Sequence, residues 1–500
     1  MYISTRGNYP KATAAEAIKI GMVPGGGLFV PDRVPVLNEE EIWEMTGQTY
    51  GEVTQTILEP FLEGYQVEEI RNIIRDSYYS GNFDHEEIAP LVKLDEGAHV
   101  LELWHGPTAA FKDMALQIMP RLLSAAREKT GSKKDIVILV ATSGDTGKAA
   151  LEGFKNVPSI KIIVFYPHGG VSKVQELQMT TTDGDNTYVV AVKGNFDDCQ
   201  TAVKEIFADR EFNDLLEQYN MEFSSANSIN WGRLLPQIVY YFWAYSRLLN
   251  KGTILQGEKI NVVVPTGNFG NILAGYYAYL MGLPVKKFIC ASNENKVLTD
   301  VINTGIYDRR RDFIKTSSPS MDILISSNFE RFLFEINGHD SKKINQWFTN
   351  LNEEGIFSVD DSTLKKIQEI MAGDFVTEEE TRNIIKEVFE SIGYLLDTHT
   401  AVGVKVYKKY VEKTQDRTQT VIDATANPYK FNKAVLEAIA GPDVVSGNEF
   451  ALVEKLHQVS GMEIHRGLSG LKSKKVLHRR VVERDGLRDV IKEILNLSER

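Results

Sequence analysis

DIVILVATSGDTGKAA (Asp135–Ala150) begins as an unbroken β-branched apolar run and passes, through a polar glycine-containing loop, into a helix starting near Gly147. An apolar run without polar alternation reads as a strand covered on both faces. The same unit recurs around it. HVLELW (His99–Trp104) precedes the helical stretch Met114–Glu128, IKIIVFY (Ile160–Tyr166) precedes Lys173–Thr181, and TYVVAV (Thr187–Val192) precedes Cys199–Phe207. Beyond the long apolar segment Leu234–Leu249 the alternation resumes. INVVVP (Ile260–Pro265) leads to a helix from Asn271, KKFICAS (Lys286–Ser292) to another, and TVIDAT (Thr420–Thr425) to a helix from Tyr429. Repeated strand–helix units predict an α/β fold with parallel sheets, and the interruption predicts two lobes, at residues 96–250 and 251–445. Residues 1–95 follow helical periods instead (Glu39–Met45, Val67–Tyr78) and hold the Gly25–Gly27 turn, so a separate, mostly helical N-terminal unit is expected. Residues 446–500 form a small C-terminal extension.

A chain of 500 residues is long enough for such lobes, and 43% hydrophobic with 25% charged residues is ordinary globular usage that excludes a disordered or fibrous chain. The 56 Lys and Arg fall short of the 68 Asp and Glu, for a net charge of -12. That sign repels nucleic acid and anionic lipid, so an anionic ligand needs a local pocket. Cys199 and Cys290 have neither zinc nor disulfide spacing, which fits a reducing compartment. The start MYISTRGNYPKAT lacks a signal-type apolar core, and no apolar run approaches bilayer length. A cytoplasmic protein is expected. Residues 305–395 are strongly charged, with TEEETRNIIKEVFESIG reading as a surface helix capped by Thr377, and suggest no chemistry. The basic stretch Lys472–Arg480 reads as a solvated face.

Parallel sheets bind ligands at the carboxyl ends of their strands, where helix N-termini offer free N–H groups to anions. Three such junctions stand out. VPTGNFGNI (Val264–Ile272) has two glycines that let backbone amides crowd around a phosphate. VATSGDTGKAA (Val140–Ala150) is not a P-loop, because that pattern needs glycine where Thr142 stands and Ser or Thr where Ala149 stands. It is instead a loop with three hydroxyls, Thr142, Ser143 and Thr146. In LELWHGPTAAFKDMALQ (Leu101–Gln117), Lys112 follows Ala109, Ala110 and Phe111 at a strand-to-helix junction. A partly desolvated lysine has a lowered pKa and becomes nucleophilic toward a carbonyl.

The strings HGPTAAFKD, ATSGDTGKAA, NSINWGR, PTGNFGN and ATANPYKF, in this order, together with STRG and GGGLFVP, resemble the threonine synthases in their longer form, which are fold type II pyridoxal phosphate enzymes. The likeness runs over most of the chain. It implies that Lys112 carries pyridoxal phosphate and later moves protons as the catalytic residue. It places Gly267, Asn268, Phe269, Gly270 and Asn271 around the cofactor phosphate, Asp145 beside the ring oxygen and Thr425 at the pyridine nitrogen. The substrate implied is O-phosphohomoserine. Thr142, Ser143 and Thr146 match the family's hydroxyl donors to its phosphate, Asn227 and Arg233 match the amide and guanidinium contacts, and Ser228 and Asn230 lie behind them. No metal is implied. The family more often has histidine where this chain has Asn427, so no role is carried over to that position.

The reaction implied is a β,γ-replacement by a lyase acting on a carbon–oxygen bond to phosphate, giving L-threonine and phosphate, with one lobe closing over the other. Two alternatives stay open at the level of sequence: a phospholyase releasing 2-ketobutyrate from phosphothreonine or phosphohomoserine, and a catalytically silent protein that only binds pyridoxal phosphate. The aromatic stretch Tyr240–Tyr245 is expected to be a core helix between the lobes. A monomer is expected by analogy, with a dimer left open, and neither nucleic acid nor membrane is an expected partner.

Overall fold

The computed structural model describes residues 1–142 and 144–498, apart from the side chain of residue 197. Along the chain its strands are β1 (Tyr2–Ser4), β2 (Phe29–Pro31), β3 (Leu91–Lys93), β4 (Ala98–Glu102), β5 (Asp135–Ala141), β6 (Ile160–Pro167), β7 (Thr187–Lys193), β8 (Met221–Ser224), β9 (Ile260–Pro265), β10 (Val285–Ser292), β11 (Ile306–Asp308), β12 (Ile356–Ser358), β13 (Met371–Phe375), β14 (Thr420–Ala424) and β15 (Arg480–Glu483). Two sheets dominate. The larger has six strands in the order β13-β10-β9-β14-β4-β3, parallel except for the β3–β4 pair, and the smaller has five parallel strands in the order β15-β7-β6-β5-β8. Every residue of β4, β9 and β14 is buried, as their unalternated apolar sequences predict.

The α/β class and the two parallel-sheet lobes are borne out, but the division at residue 250 is corrected. β4 lies in the six-stranded sheet, next but one to β9, with β14 inserted between them. The lysine junction and the glycine loop therefore hang from one sheet. The smaller lobe is an insertion after β4, built on β5 to β8. The physical reason is crossover length: a β-branched run fixes a strand, whereas its neighbour is fixed by where the next helix covers a face. From β9 the chain winds outward to β10 and β13, then returns to the other side of β9 as β14. That reversal opens a crevice at the carboxyl ends of β9 and β14, the usual ligand position in such sheets.

The N-terminal unit has the β1–β2 pair and four α-helices, three of which open with Thr or Asn capping boxes at Thr13, Asn38 and Thr49. Thr377 caps its helix as expected. Two buried groups clamp the unit onto the rest. The Thr5 hydroxyl and the Arg6 guanidinium, from the STRG string, both bond the Glu330 carboxylate. Fully buried Arg331 donates to the carbonyls of Phe29, Ser228 and Ile229. The C-terminal extension also turns back: β15 pairs with β7, and the helix Leu487–Leu495 packs in the core of the smaller lobe. The helix Val239–Asn250 is buried on nearly all sides, confirming a core element. Among the described residues no helix is long and apolar enough to cross a membrane.

Close packing fixes the two lobes where they meet. A Cβ added at Gly153 would lie 1.8 Å from the Leu116 carbonyl oxygen. The helix Asp145–Phe154 thus rests on the backbone at the end of the helix Lys112–Leu116. Gly153→Ala should force these helices apart, costing about 1–3 kcal/mol in stability and lowering turnover together with it. Thermal unfolding of the variant checks this; an unchanged melting temperature contradicts the packing.

Candidate active site

Lys112 is the first residue of its helix, and the preceding turn holds it in place. Ala109 adopts a left-handed conformation (φ 60°), a strained state for a residue with a Cβ. Two backbone bonds then stitch this turn to the loop after β14, from the Phe111 N–H to the Thr425 carbonyl (2.8 Å) and from the Asn427 N–H to the Ala109 carbonyl (3.0 Å). Lys112 and Thr425 are so brought together by the backbone. The Lys112 side chain is 10% exposed, with Nζ 3.4 Å from the Ser320 hydroxyl, 4.0 Å from an Asp145 oxygen and 5.3 Å from the centre of the Phe111 ring. Its pKa is lowered to about 8: burial is the largest cause, the Asp145 carboxylate opposes it, the nearby charges of Lys430 and Arg233 act with burial, and Asp113 opposes them. A free amine, the nucleophilic form, is therefore accessible near neutral pH.

Asp145 starts the helix Asp145–Phe154. One carboxylate oxygen lies 3.1 Å from Lys430 Nζ and accepts from the Gln175 amide, and the other faces Lys112. Burial works against its charge, but the ammonium groups of Lys430 and Lys112, with the Gln175 bond, prevail and hold the carboxyl well below the usual range.

The loop after β9 turns at Phe269, which is also left-handed (φ 64°), its ring packed 5.1 Å from Phe329 and 5.5 Å from Phe332. Ring packing pins a bulky residue in a strained conformation that aims the following amides outward. The N–H groups of residues 268–271 have no acceptor among the described residues, and they head the helix Gly270–Leu280. The Asn271 Oδ1 is turned onto a buried tyrosine pair: it accepts from the Tyr240 hydroxyl and lies 2.6 Å from the Tyr241 hydroxyl, whose one proton it shares with Asp423 at 2.9 Å, and burial raises the Asp423 carboxyl to about 7. The Asn271 backbone N–H and its buried Nδ2 both lack an acceptor among the described residues. Gly267 is required by contact, since a Cβ there would stand 2.4 Å from the Ser320 carbonyl oxygen.

Arg233 lies in the short helix Trp231–Leu234. It is 7% exposed, and among the described residues its side chain makes one hydrogen bond, to the Ala226 carbonyl (2.8 Å). Burial alone lowers its pKa to about 10, with no carboxylate acting on it. A buried guanidinium with no anion beside it among the described residues is costly. Asn230 is structural: it caps the same helix and donates to the Ile18 and Ser225 carbonyls. Asn227 is exposed and its side chain makes no bond among the described residues. The Thr142 hydroxyl accepts from the Gly144 and Gly147 amides, so it is first a cap. Thr146 is half-buried with no hydroxyl partner among the described residues, and Ser143 lies outside them. Asn427 caps the 3-10 turn Pro428–Phe431 through its carbonyl oxygen, which gives this position a structural use without histidine.

Several site residues carried no local signal. Residues 305–395, which suggested no chemistry, supply Ser320 against Lys112 and Gly267, and Asn328, which bonds the Asn268 carbonyl. His399, oriented by Asp397 at 3.1 Å, accepts the Ser320 N–H through Nε2. Lys430, inside ATANPYKF, reaches Asp145 and the Thr108 carbonyl. The C-terminal extension packs Gly467 so close to the lysine turn that a Cβ on it would stand 2.3 Å from the Pro107 carbonyl.

The residues present fit a phosphorylated aldehyde. A desolvated amine is carried by a turn bonded through its backbone to the loop of Thr425, the Thr425 hydroxyl has no partner among the described residues, and a row of free amides heads a helix from the same sheet. Such amides and the helix dipole favour a phosphate.

Comparison with known proteins agrees with this geometry. The family described as "Threonine synthase N terminus" matches residues 1–78, "Pyridoxal-phosphate dependent enzyme" matches residues 83–422, and "Threonine synthase, C-terminal" matches residues 400–467. The chain is 38% identical to the threonine synthase of Saccharomyces cerevisiae, over 93% of this chain and 94% of that protein. It is 41% identical to the threonine synthase of Pseudomonas aeruginosa, over 88% and 90%. The crystal structure of PLP-bound threonine synthase from Brucella melitensis superposes with a TM-score of 0.88 at 37% identity, covering 100% of this chain and 99% of that one.

Proposed function

Since the chain belongs to the threonine synthase family of pyridoxal-phosphate-dependent enzymes, we propose that it turns O-phospho-L-homoserine and water into L-threonine and phosphate through the residues gathered around Lys112. The observation that carries this reading is the pairing of a buried lysine with a helix-heading row of free amides on one sheet, faced by an arginine that lacks an anion.

Lys112 would bind the cofactor aldehyde, and the amides of Gly267, Asn268, Phe269, Gly270 and Asn271 would bind its phosphate. The Thr425 hydroxyl would bond the pyridine nitrogen, and Asp145 would serve the ring oxygen. When bound, pyridoxal phosphate supplies electron withdrawal from the substrate carbon next to the amine. Lys112 Nζ would hold and move protons at the α-carbon and its neighbours as a general base and acid, for which a pKa of about 8 suits neutral pH. Arg233 binds the substrate phosphate, and its planar fork suits two oxygens at once. Thr146, Thr142, Ser143 and Asn227 complete that pocket. Burial of Lys112 and Arg233 keeps bulk water from the carbon chain until phosphate has left. The same reading takes the enzyme as a cytoplasmic monomer, in line with two free, buried cysteines.

Incubation of the purified protein with O-phosphohomoserine and with phosphothreonine, each scored for threonine and 2-ketobutyrate, tests it. Threonine from phosphohomoserine is expected. 2-Ketobutyrate as the main product would replace this reading with a phospholyase, and cofactor absorbance without any product would replace it with a silent binding protein.

A further inference from the structure

Asp145 is shared between two lysines from different lengths of chain. Lys112 comes from the junction after β4, and Lys430 from the 3-10 turn that follows β14. Their contacts with Asp145 are unequal: Lys430 Nζ sits 3.1 Å from one carboxylate oxygen, Lys112 Nζ 4.0 Å from the other. Lys430 is held on its far side by the Thr108 carbonyl at 2.8 Å, inside the turn that presents Lys112, and its side chain is 1% exposed. The same turn is fixed from within, because Asp113 accepts from both the N–H and the hydroxyl of Thr108. Asp145 is fixed as well, by the Gln175 amide on the oxygen that faces Lys430.

We propose that Lys430 is a positioning residue that engages the Asp145 carboxylate and so keeps it from closing onto Lys112, leaving the Lys112 amine able to shed its proton and attack an aldehyde. The inference rests on the reading of Lys112 as the reactive amine. A carboxylate buried with one lysine would pair with it directly and hold it protonated, and an ammonium so held is no nucleophile. A second, immobile lysine takes the carboxylate's first contact and adds a like charge nearby. Four charged groups bear on Lys112: Asp145, Lys430 and Arg233 from the elements packed against it, and Asp113 from its own helix. Of these, Lys430 alone can be removed without taking away a carboxylate or the guanidinium assigned to substrate. Burial and the positive charges of Lys430 and Arg233 act in the same direction on Lys112, in agreement with the geometry.

The test is the pH dependence of Lys112 acylation by acetic anhydride in the full chain freed of cofactor, followed at that one residue by mass spectrometry. In Lys430→Met, Asp145 has only Lys112 to pair with, and the Lys112 profile should move to higher pH by about one unit, roughly a tenfold loss of labelling at neutral pH. Lys430→Gln keeps a donor for the Thr108 carbonyl and should shift the profile the same way, so it decides the matter if Lys430→Met folds poorly. Lys430→Arg keeps the cation and should restore the wild-type profile. Asp145→Asn removes the attraction itself and should move the profile to lower pH. An unchanged profile in Lys430→Gln, or shifts of the same sign in Lys430→Gln and Asp145→Asn, would overturn the proposal. The labelling involves neither substrate nor cofactor. A shifted profile in a protein that makes no threonine would therefore sink the proposed function and leave this inference standing.

Discussion

Lys112→Ala is expected to lower kcat for threonine formation by at least about 10³-fold, since it removes both the attachment of the cofactor and the group that moves protons. The loss should be specific to chemistry. In the folded chain burial depresses the Lys112 pKa from 10.5 to about 8, so the fold binds fewer protons than the unfolded chain between those values. By linkage, this lysine makes stability rise as pH increases from about 8 toward 10.5, and below pH 8 its buried charge works against the fold. Lys112→Ala should therefore melt no lower than the wild type at pH 7, and should lose that rise of stability at alkaline pH. Melting curves of the cofactor-free proteins at pH 7 and pH 10, beside the product assay, read both effects. Retention of more than a tenth of the activity would remove Lys112 from the centre of the mechanism.

The second large effect is expected at Arg233. Charge-assisted hydrogen bonds are worth about 1.5–3 kcal/mol each, and a guanidinium offers two to one phosphate, so Arg233→Met should cost kcat/KM for phosphohomoserine about 10²–10⁴-fold. Arg233→Lys keeps the charge without the fork and should recover only part of this. Because Arg233 is buried with one carbonyl partner and no carboxylate, Arg233→Met also removes a desolvated cation and should not lower the melting temperature. Inhibition by inorganic phosphate gives an independent readout, and it should weaken in parallel with kcat/KM. A loss below threefold, with phosphate inhibition intact, would show that the substrate phosphate lies elsewhere.

What could be read from sequence was whatever local chemistry writes into a few neighbouring residues. The apolar runs of β5, β6 and β9 and the turns behind them follow from side-chain type alone, and so do Lys112 at its helix start and the glycines that frame Phe269. What could not be read was adjacency. β4 and β9 are separated by the whole smaller lobe yet share a sheet through β14, and no local pattern encodes that partner. Ser320 lies in a run of small polar residues typical of any loop, and it acquires meaning only because His399 holds its amide and Gly267 admits its carbonyl. Lys430 was in view inside ATANPYKF, but its use depends on a carboxylate from the other lobe. The three hydroxyls of the Thr142 loop look alike in sequence, whereas that of Thr142 is committed to capping the helix that follows. A cap and an anion donor draw on the same residue types, so composition cannot separate them.

The placement of the smaller lobe as an insertion after β4 has one more consequence. The groups assigned to the coenzyme, Asp145 apart, belong to the larger sheet, whereas most groups assigned to recognising the leaving group hang from the inserted one. Selection can thus rework which metabolite is accepted by editing one module while the inherited reactive apparatus stays untouched, and grafting that module between relatives becomes a practical route to new specificities.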